Sequence, residues 1–153
     1  MTLNQTVFIR KLTAHDFDDA LQLYDELVGA KPAVRGDDRR DRFQRVLSFE
    51  GTHIFGAEVD GTVIGMATLH VLPNMTYNGS PYCLVENVAT LKAYQSHGIG
   101  RAVMHHVIQA AWDAGTYKIM LLTGQKRNSS GFYRRIGFDQ DEKYGMVLRR
   151  DLT

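Results

Sequence analysis

The sequence predicts a mixed α/β fold in which about six strands form a twisted sheet and about four helices pack on it, in the order β-α-α-β-β-β-α-β-α-β. Three observations carry this expectation. Short apolar runs of strand character alternate with longer stretches whose apolar residues recur at helical spacing. Asp60-Gly61 separates two such runs, as a two-residue hairpin turn would. Two glycines, Gly98 and Gly100, open the most regular helical stretch. Glycine is a poor helix former, so a pair there needs another reason.

The elements follow in order. Val7 to Thr13 alternates apolar and polar residues and reads as a strand. Phe17, Ala20, Leu21, Tyr24, Leu27 and Val28 share one helical face, with Thr13 or Asp16 to cap the helix and Gly29 and Pro32 to close it. RGDDRRDRFQRVLSF sets Phe43, Val46 and Leu47 against a dense charged face and predicts a second helix. Two strands meet at Asp60-Gly61, and after a polar loop from Pro73 to Pro81, YCLVENVATL gives a fourth. Ile99, Val103, Val107, Ala110, Ala111 and Ala114 trace a helix up to Gly115. Tyr117 to Thr123 is almost wholly apolar, as suits a strand covered on both faces. SSGFYRRIGF predicts a short helix, and DEKYGMVLRRD, residues 141–151, a closing strand.

Composition narrows the function. A chain of 153 residues is expected to form one domain, residues 1–153, with a real core. A net charge of +1 suggests no nucleic-acid surface. Cys83 is the only cysteine, which excludes an internal disulfide and multi-thiolate zinc sites. Of six histidines only His105 and His106 adjoin, and neighbours on a helix point apart, so no metal is expected. Without a signal-like segment or a run of about 18 apolar residues, the expected setting is cytoplasmic, with no membrane partner.

The glycine pair has a chemical reading. A helix N-terminus offers backbone N–H groups without internal partners and the positive end of the helix dipole. Glycines there let a phosphate approach closely; the alternative is a tight turn with no ligand. The pattern is neither G-x-G-x-x-G, since Val103 stands where the third glycine belongs, nor a P-loop.

Two motifs in register then become informative. Gln95 to Gly100 (QSHGIG) and Phe132 to Phe138 (FYRRIGF) flank an apolar strand. With the stretch from Leu84 to Phe138, they resemble the GNAT superfamily of acetyl-CoA-dependent N-acetyltransferases. That resemblance implies a mostly antiparallel sheet, acetyl-CoA as acyl donor and no metal. It implies that the loop opened by Gln95 holds the coenzyme A pyrophosphate through the amides of His97, Gly98, Gly100 and Arg101, around Ile99. Gln95 stands where many members have Arg. Arg101 either lends charge to the phosphates or is a solvated helix residue. The strand Glu86-Asn87-Val88-Ala89 would splay from the fifth, and backbone groups of Val88 and Ala89 would hold the pantetheine and thioester.

Side-chain chemistry follows from the same resemblance. Tyr133 would protonate the departing thiolate. Glu86, a carboxylate in an apolar strand, either takes the proton of the incoming ammonium or pairs with a nearby cation or amide. Many members carry a coenzyme-binding Asn where Lys126 stands here; Asn128 either replaces it or caps the following helix. Phe132 and Phe138 read as core. Cys83 has no base beside it in sequence and is rejected as a nucleophile.

The expected activity is transfer of acetyl to a primary amine of a small metabolite, directly within a ternary complex. VENV, AGTYKIML, FYRRIGF and a late YGM look like glucosamine-6-phosphate N-acetyltransferases, which makes an amino sugar phosphate a candidate acceptor and a homodimer a candidate assembly. A protein or peptide N-acetyltransferase and a non-catalytic acyl-CoA-binding sensor are the alternatives.

Overall fold

The computed structural model describes residues 5–150. They fall into two units, one ending at Leu121 and one beginning at Leu122. The first unit carries β1 (Phe8–Lys11), α1 (Phe17–Val28), α2 (Arg39–Ser48), β2 (Thr52–Val59), β3 (Thr62–Leu72), β4 (Tyr82–Thr90), α3 (Ile99–Asp113) and β5 (Ile119–Leu121). Its sheet runs β1-β2-β3-β4-β5, antiparallel until β5, which joins β4 in parallel. The fold is thus the mixed, mostly antiparallel α/β arrangement that the sequence predicts. Asp60 and Gly61 take φ of 49° and 80° between paired Val59 and Thr62, the left-handed pair a tight hairpin requires.

Directly opposed residues in antiparallel strands share a face, and this separates the helices. Gly65 meets Ile99 of α3, and Phe55, opposed to Ala67, meets His106 of α3. Thr68 and His70 lie on the other face, lining a cavity with residues of α1 and α2. Leu23, Ile54, Ile64, Leu69, Met104 and Val107 fill the core almost without exposure.

Helix α1 is fixed by hydrogen bonds as well as by packing. Gly29, left-handed at φ 74°, closes it with an N–H bond to Asp25 O. Asp19 accepts from Val63 N–H at 2.9 Å and Glu26 from Lys92 N–H at 2.7 Å, tying the helix to β3 and to the turn after β4. Ahead of it, Thr13 N–H donates to Asp16 at 2.7 Å. Arg10 grips the same carboxylate with two nitrogens, at 2.8 and 2.9 Å, and reaches Glu58 at 2.6 Å.

Two expectations are corrected. The fifth strand covers only Ile119–Leu121 rather than residues 117–123, and it is half-buried rather than covered on both faces. The closing strand is absent: residues 144–150 join no ladder, and Tyr144, Met146 and Leu148 are 99%, 92% and 101% exposed. Asp151 lies outside the described residues. Alternating apolar residues make a strand only when a neighbour takes up its backbone groups, and no described residue of 144–150 has such a partner. The second unit's regular structure is the short α4 (Ser130–Arg135), as predicted.

The Arg10 fork, first through its hydrogen bonds, holds the Asp16 carboxyl down at about 2, from an ordinary 3.8, against the opposing effect of burial. A depressed carboxyl stabilises the fold fully above its unfolded pKa and loses that contribution as pH falls through the folded value. Urea unfolding at a series of pH values should therefore show about 1–2 kcal/mol lost between pH ~4 and ~2, the size limited by Arg10's partial exposure. Asp16→Asn should flatten that slope; an unchanged slope would assign the acid sensitivity elsewhere.

Candidate functional site

The extra residue of β4 shapes the site. Met66 opposes Ala89 but Thr68 opposes Glu86, so β3 spends one residue, Ala67, against two of β4, Asn87 and Val88. This is a β-bulge, and Asn87 accommodates it at φ 52°. Asn and Asp reach that left-handed region more readily than most side chains. The bulge sends Asn87 into the cavity beneath α1 and α2.

On its other edge, β4 pairs with β5 only through Cys83, Leu84 and Val85. From Glu86 onward that edge carries no ladder. Leu91 N–H bonds to Ile64 O across β3. By alternation Ala89 turns its backbone groups to β3 as well, while Val88 and Thr90 face the open edge. Of the two residues expected to offer backbone groups to an acyl-pantetheine, Val88 faces the open edge and Ala89 is engaged by β3.

The turn into α3 leads from this edge. The Gln95 side-chain amide donates to Thr90 O at 3.1 Å, and His97 Nδ1 donates to Gln95 O at 2.7 Å. Both side chains brace the loop, and this bracing role was not legible in the motif. Gly98 is the N-cap at φ 82°, with open space where a Cβ would sit, so backbone conformation selects glycine there. The first helical bond is Ala102 N–H to Gly98 O at 3.0 Å. The N–H groups of His97, Gly98, Ile99, Gly100 and Arg101 have no acceptor among the described residues. Five unclaimed amides at the positive end of a fifteen-residue helix fit an oxyanion such as a pyrophosphate. The buried Ile99 side chain sets the height of this terminus: a Cβ on Gly65 would come within 2.7 Å of Ile99 Cγ2.

Glu86 opposes Thr68 and so shares the face of the cavity, the side on which an acceptor was expected. Its side chain is exposed and engages no described residue in an ion pair or hydrogen bond. The enclosed, paired carboxylate suggested by its apolar strand is not found: Glu86 is exposed although Val85 and Ala89 on either side of the bulge are buried. Cys83 is fully buried, and burial pushes its thiol up. A thiol held protonated is a poor nucleophile.

In the second unit, Tyr133 sits in edge contact with Phe132 at 5.0 Å and Phe138 at 6.1 Å. These flanking rings are half-buried rather than core. Burial raises the Tyr133 phenol, and the Arg127 cation opposes that shift. Asn128 is exposed and left-handed at φ 51°, and Ser129 rather than Asn128 is the N-cap of α4. Ser129 Oγ lies 2.6 Å from Thr123 Oγ1. Among the described residues, no group of three or more His, Cys, Asp or Glu is arranged to hold a metal.

Comparison with known proteins gives the geometry a context. Residues 20–138 match the model of the acetyltransferase (GNAT) family. The chain is 35% identical to a putative acetyltransferase from Agrobacterium tumefaciens str. C58, with a TM-score of 0.88, covering 94% of this chain and 99% of that one. It is 26% identical over 144 residues to a glucosamine 6-phosphate N-acetyltransferase from Trypanosoma brucei brucei, across 94% of this chain and 95% of the relative. A glucosamine-6-phosphate N-acetyltransferase structure from Arabidopsis thaliana shares the fold, with a TM-score of 0.80 at 18% identity over 97% of this chain and 99% of that one.

Gly65→Ala tests the seating of α3. The added methyl would strike Ile99 and approach Ala89 O at 3.4 Å, so overpacking should cost about 1–3 kcal/mol in denaturant unfolding. In an Ile99→Ala background, which removes Cγ2, Gly65→Ala should cost measurably less than in the parent protein, whereas an equal cost in both backgrounds would rule out this contact as the cause.

Proposed function

The chain belongs to the acetyltransferase (GNAT) family and is an acyl-CoA-dependent acetyltransferase; from that premise we propose that it moves an acetyl group from acetyl-CoA to the primary amine of a small metabolite, directly and within a ternary complex. The observation that carries this reading is the run of unclaimed amides from His97 to Arg101 beside the open edge of β4. The amides would take the coenzyme's pyrophosphate. Val88 would bond the acyl-pantetheine as an added strand does. Acetyl-CoA supplies an activated thioester.

The remaining chemistry is proton management. The acceptor reaches the site as an ammonium and attacks only after losing a proton. Glu86, on the acceptor face and open to water, would take that proton directly or through a water molecule. Attack at the thioester carbon forms the new C–N bond, and collapse breaks C–S. Tyr133, kept protonated by its raised pKa, would donate its proton to the leaving sulfur. Asn128, exposed and left-handed, is the remaining candidate for a coenzyme contact. The name of the trypanosome relative makes an amino sugar phosphate the first acceptor to test.

The test is incubation with acetyl-CoA and a panel of amines, read by mass spectrometry: glucosamine-6-phosphate, amino acids, polyamines, aminoglycosides and short peptides. One class of small amine should gain an acetyl group. Tyr133→Phe should lower kcat by about 10²-fold, the lower end of general-acid contributions, with little change in the amine's KM. Acetyl-CoA binding without transfer to any amine would favour a sensor, and transfer only to peptides a protein acetyltransferase.

A further inference from the structure

The cavity between α1, α2 and the sheet, about 270 Å³ in volume, has two unlike walls. The helix side is largely apolar, with Phe17, Leu21 and the Tyr24 ring from α1 and Phe43 and Val46 from α2, beside Arg39 and Arg42 in the first turn of α2. Thr68, His70 and Asn87 make the sheet side polar. Thr68 is 2% exposed, and its hydroxyl oxygen has no hydrogen-bond partner. The Tyr24 phenol is close enough to be influenced by Thr68 but out of hydrogen-bond geometry. His70 Nδ1 is held by Thr52 Oγ1 at 2.8 Å, which leaves Nε2 as its uncommitted ring nitrogen.

Two arginines reach this cavity, and they differ. Arg42 is held by Asp38 at 2.5 Å and by the Arg35 carbonyl. Arg39 is half-buried, yet no hydrogen bond or ion pair engages it among the described residues. A part-buried guanidinium and a buried hydroxyl, both without partners, each lower the stability of the empty protein. A ligand bearing an oxyanion and a polar hydrogen-bonding end would satisfy both.

We infer that this cavity is the acceptor subsite and that it takes a primary amine with an apolar, ring-sized body and one oxyanion, the amine end toward Thr68 and Asn87 and the anion on Arg39; this rests on the acetyltransferase reading. The walls discriminate against a sugar. A hexosamine carries hydroxyls around its ring, and those turned to Phe17, Leu21, Phe43 and Val46 would meet hydrocarbon. Each buried hydroxyl left unpaired there works against binding. A flat or branched hydrocarbon body loses nothing on that side, and a carboxylate or phosphate takes the guanidinium fork equally well.

The experiment compares four ligands by calorimetry and saturation-transfer NMR on the whole protein: 4-(aminomethyl)benzoate, 4-(aminomethyl)phenyl phosphate, benzylamine and glucosamine-6-phosphate. At least one of the two aromatic anions should bind about tenfold or more tighter than both benzylamine and glucosamine-6-phosphate, and their order tells carboxylate from phosphate. Arg39→Gln should bring both anions down to the affinity of benzylamine and leave benzylamine unchanged. Equal or tighter binding of glucosamine-6-phosphate, a preference that survives Arg39→Gln, or no binding of any aromatic amine would overturn the inference. Acetylation is scored separately with the same ligands. Selective binding without transfer would sink the proposed activity and keep the subsite; transfer to glucosamine-6-phosphate without a preference for the aromatic anions would do the reverse.

Discussion

One extra residue in β4 sets the geometry around it. Because Asn87 and Val88 oppose the single Ala67, the strand changes direction at the point where its pairing with β5 stops. A bulge bends its own strand and breaks the ladder locally. The bend gives the sheet an edge at Val88 that no strand among the described residues covers, and the same turn brings the exposed Asn87 into the lining of the cavity beside α1 and α2. An unbulged β4 would keep Glu86 to Thr90 in register with β3 throughout and would leave no residue to spare for either task.

The bulge would be of little use if α3 did not start beside it. Gly65 opposes Thr90 and admits Ile99 closely, so the helix N-terminus is seated on the same stretch of sheet. Gln95 closes the remaining gap by bonding Thr90 O, a carbonyl that alternation turns to the open edge. This explains why Gln serves at a position that elsewhere holds Arg. The amides supply the positive field, and the side chain is free to act as a brace.

The sequence made most of this framework legible because its signals are local. Asp60-Gly61 and Gly98 mark backbone conformations that few other residues adopt, and each is found where the pattern put it. Helices α1 to α4 lie where the sequence puts them. Features that depend on partners distant in the chain were not legible. A bulge is defined by register against β3, so YCLVENVATL reads as an unbroken strand. Arg39 sits in a mixed-sign run, and only the fold shows that Asp38 serves Arg42 and leaves Arg39 alone. Residues 141–151 offer a short apolar run, Met146 to Leu148, yet strand character does not supply a neighbour.

Burial acts alike on two side chains and suits them to opposite fates. It raises the thiol of Cys83 and the phenol of Tyr133. A nucleophilic cysteine needs its thiolate, so burial disarms Cys83 and with it a route through an acetyl-enzyme. The acid proposed for the leaving thiolate needs its proton, and a phenol raised by burial keeps it at neutral pH. The nearby Arg127 charge opposes that shift. The same desolvation therefore argues against an acetyl-enzyme on Cys83 and is consistent with the proposed direct transfer.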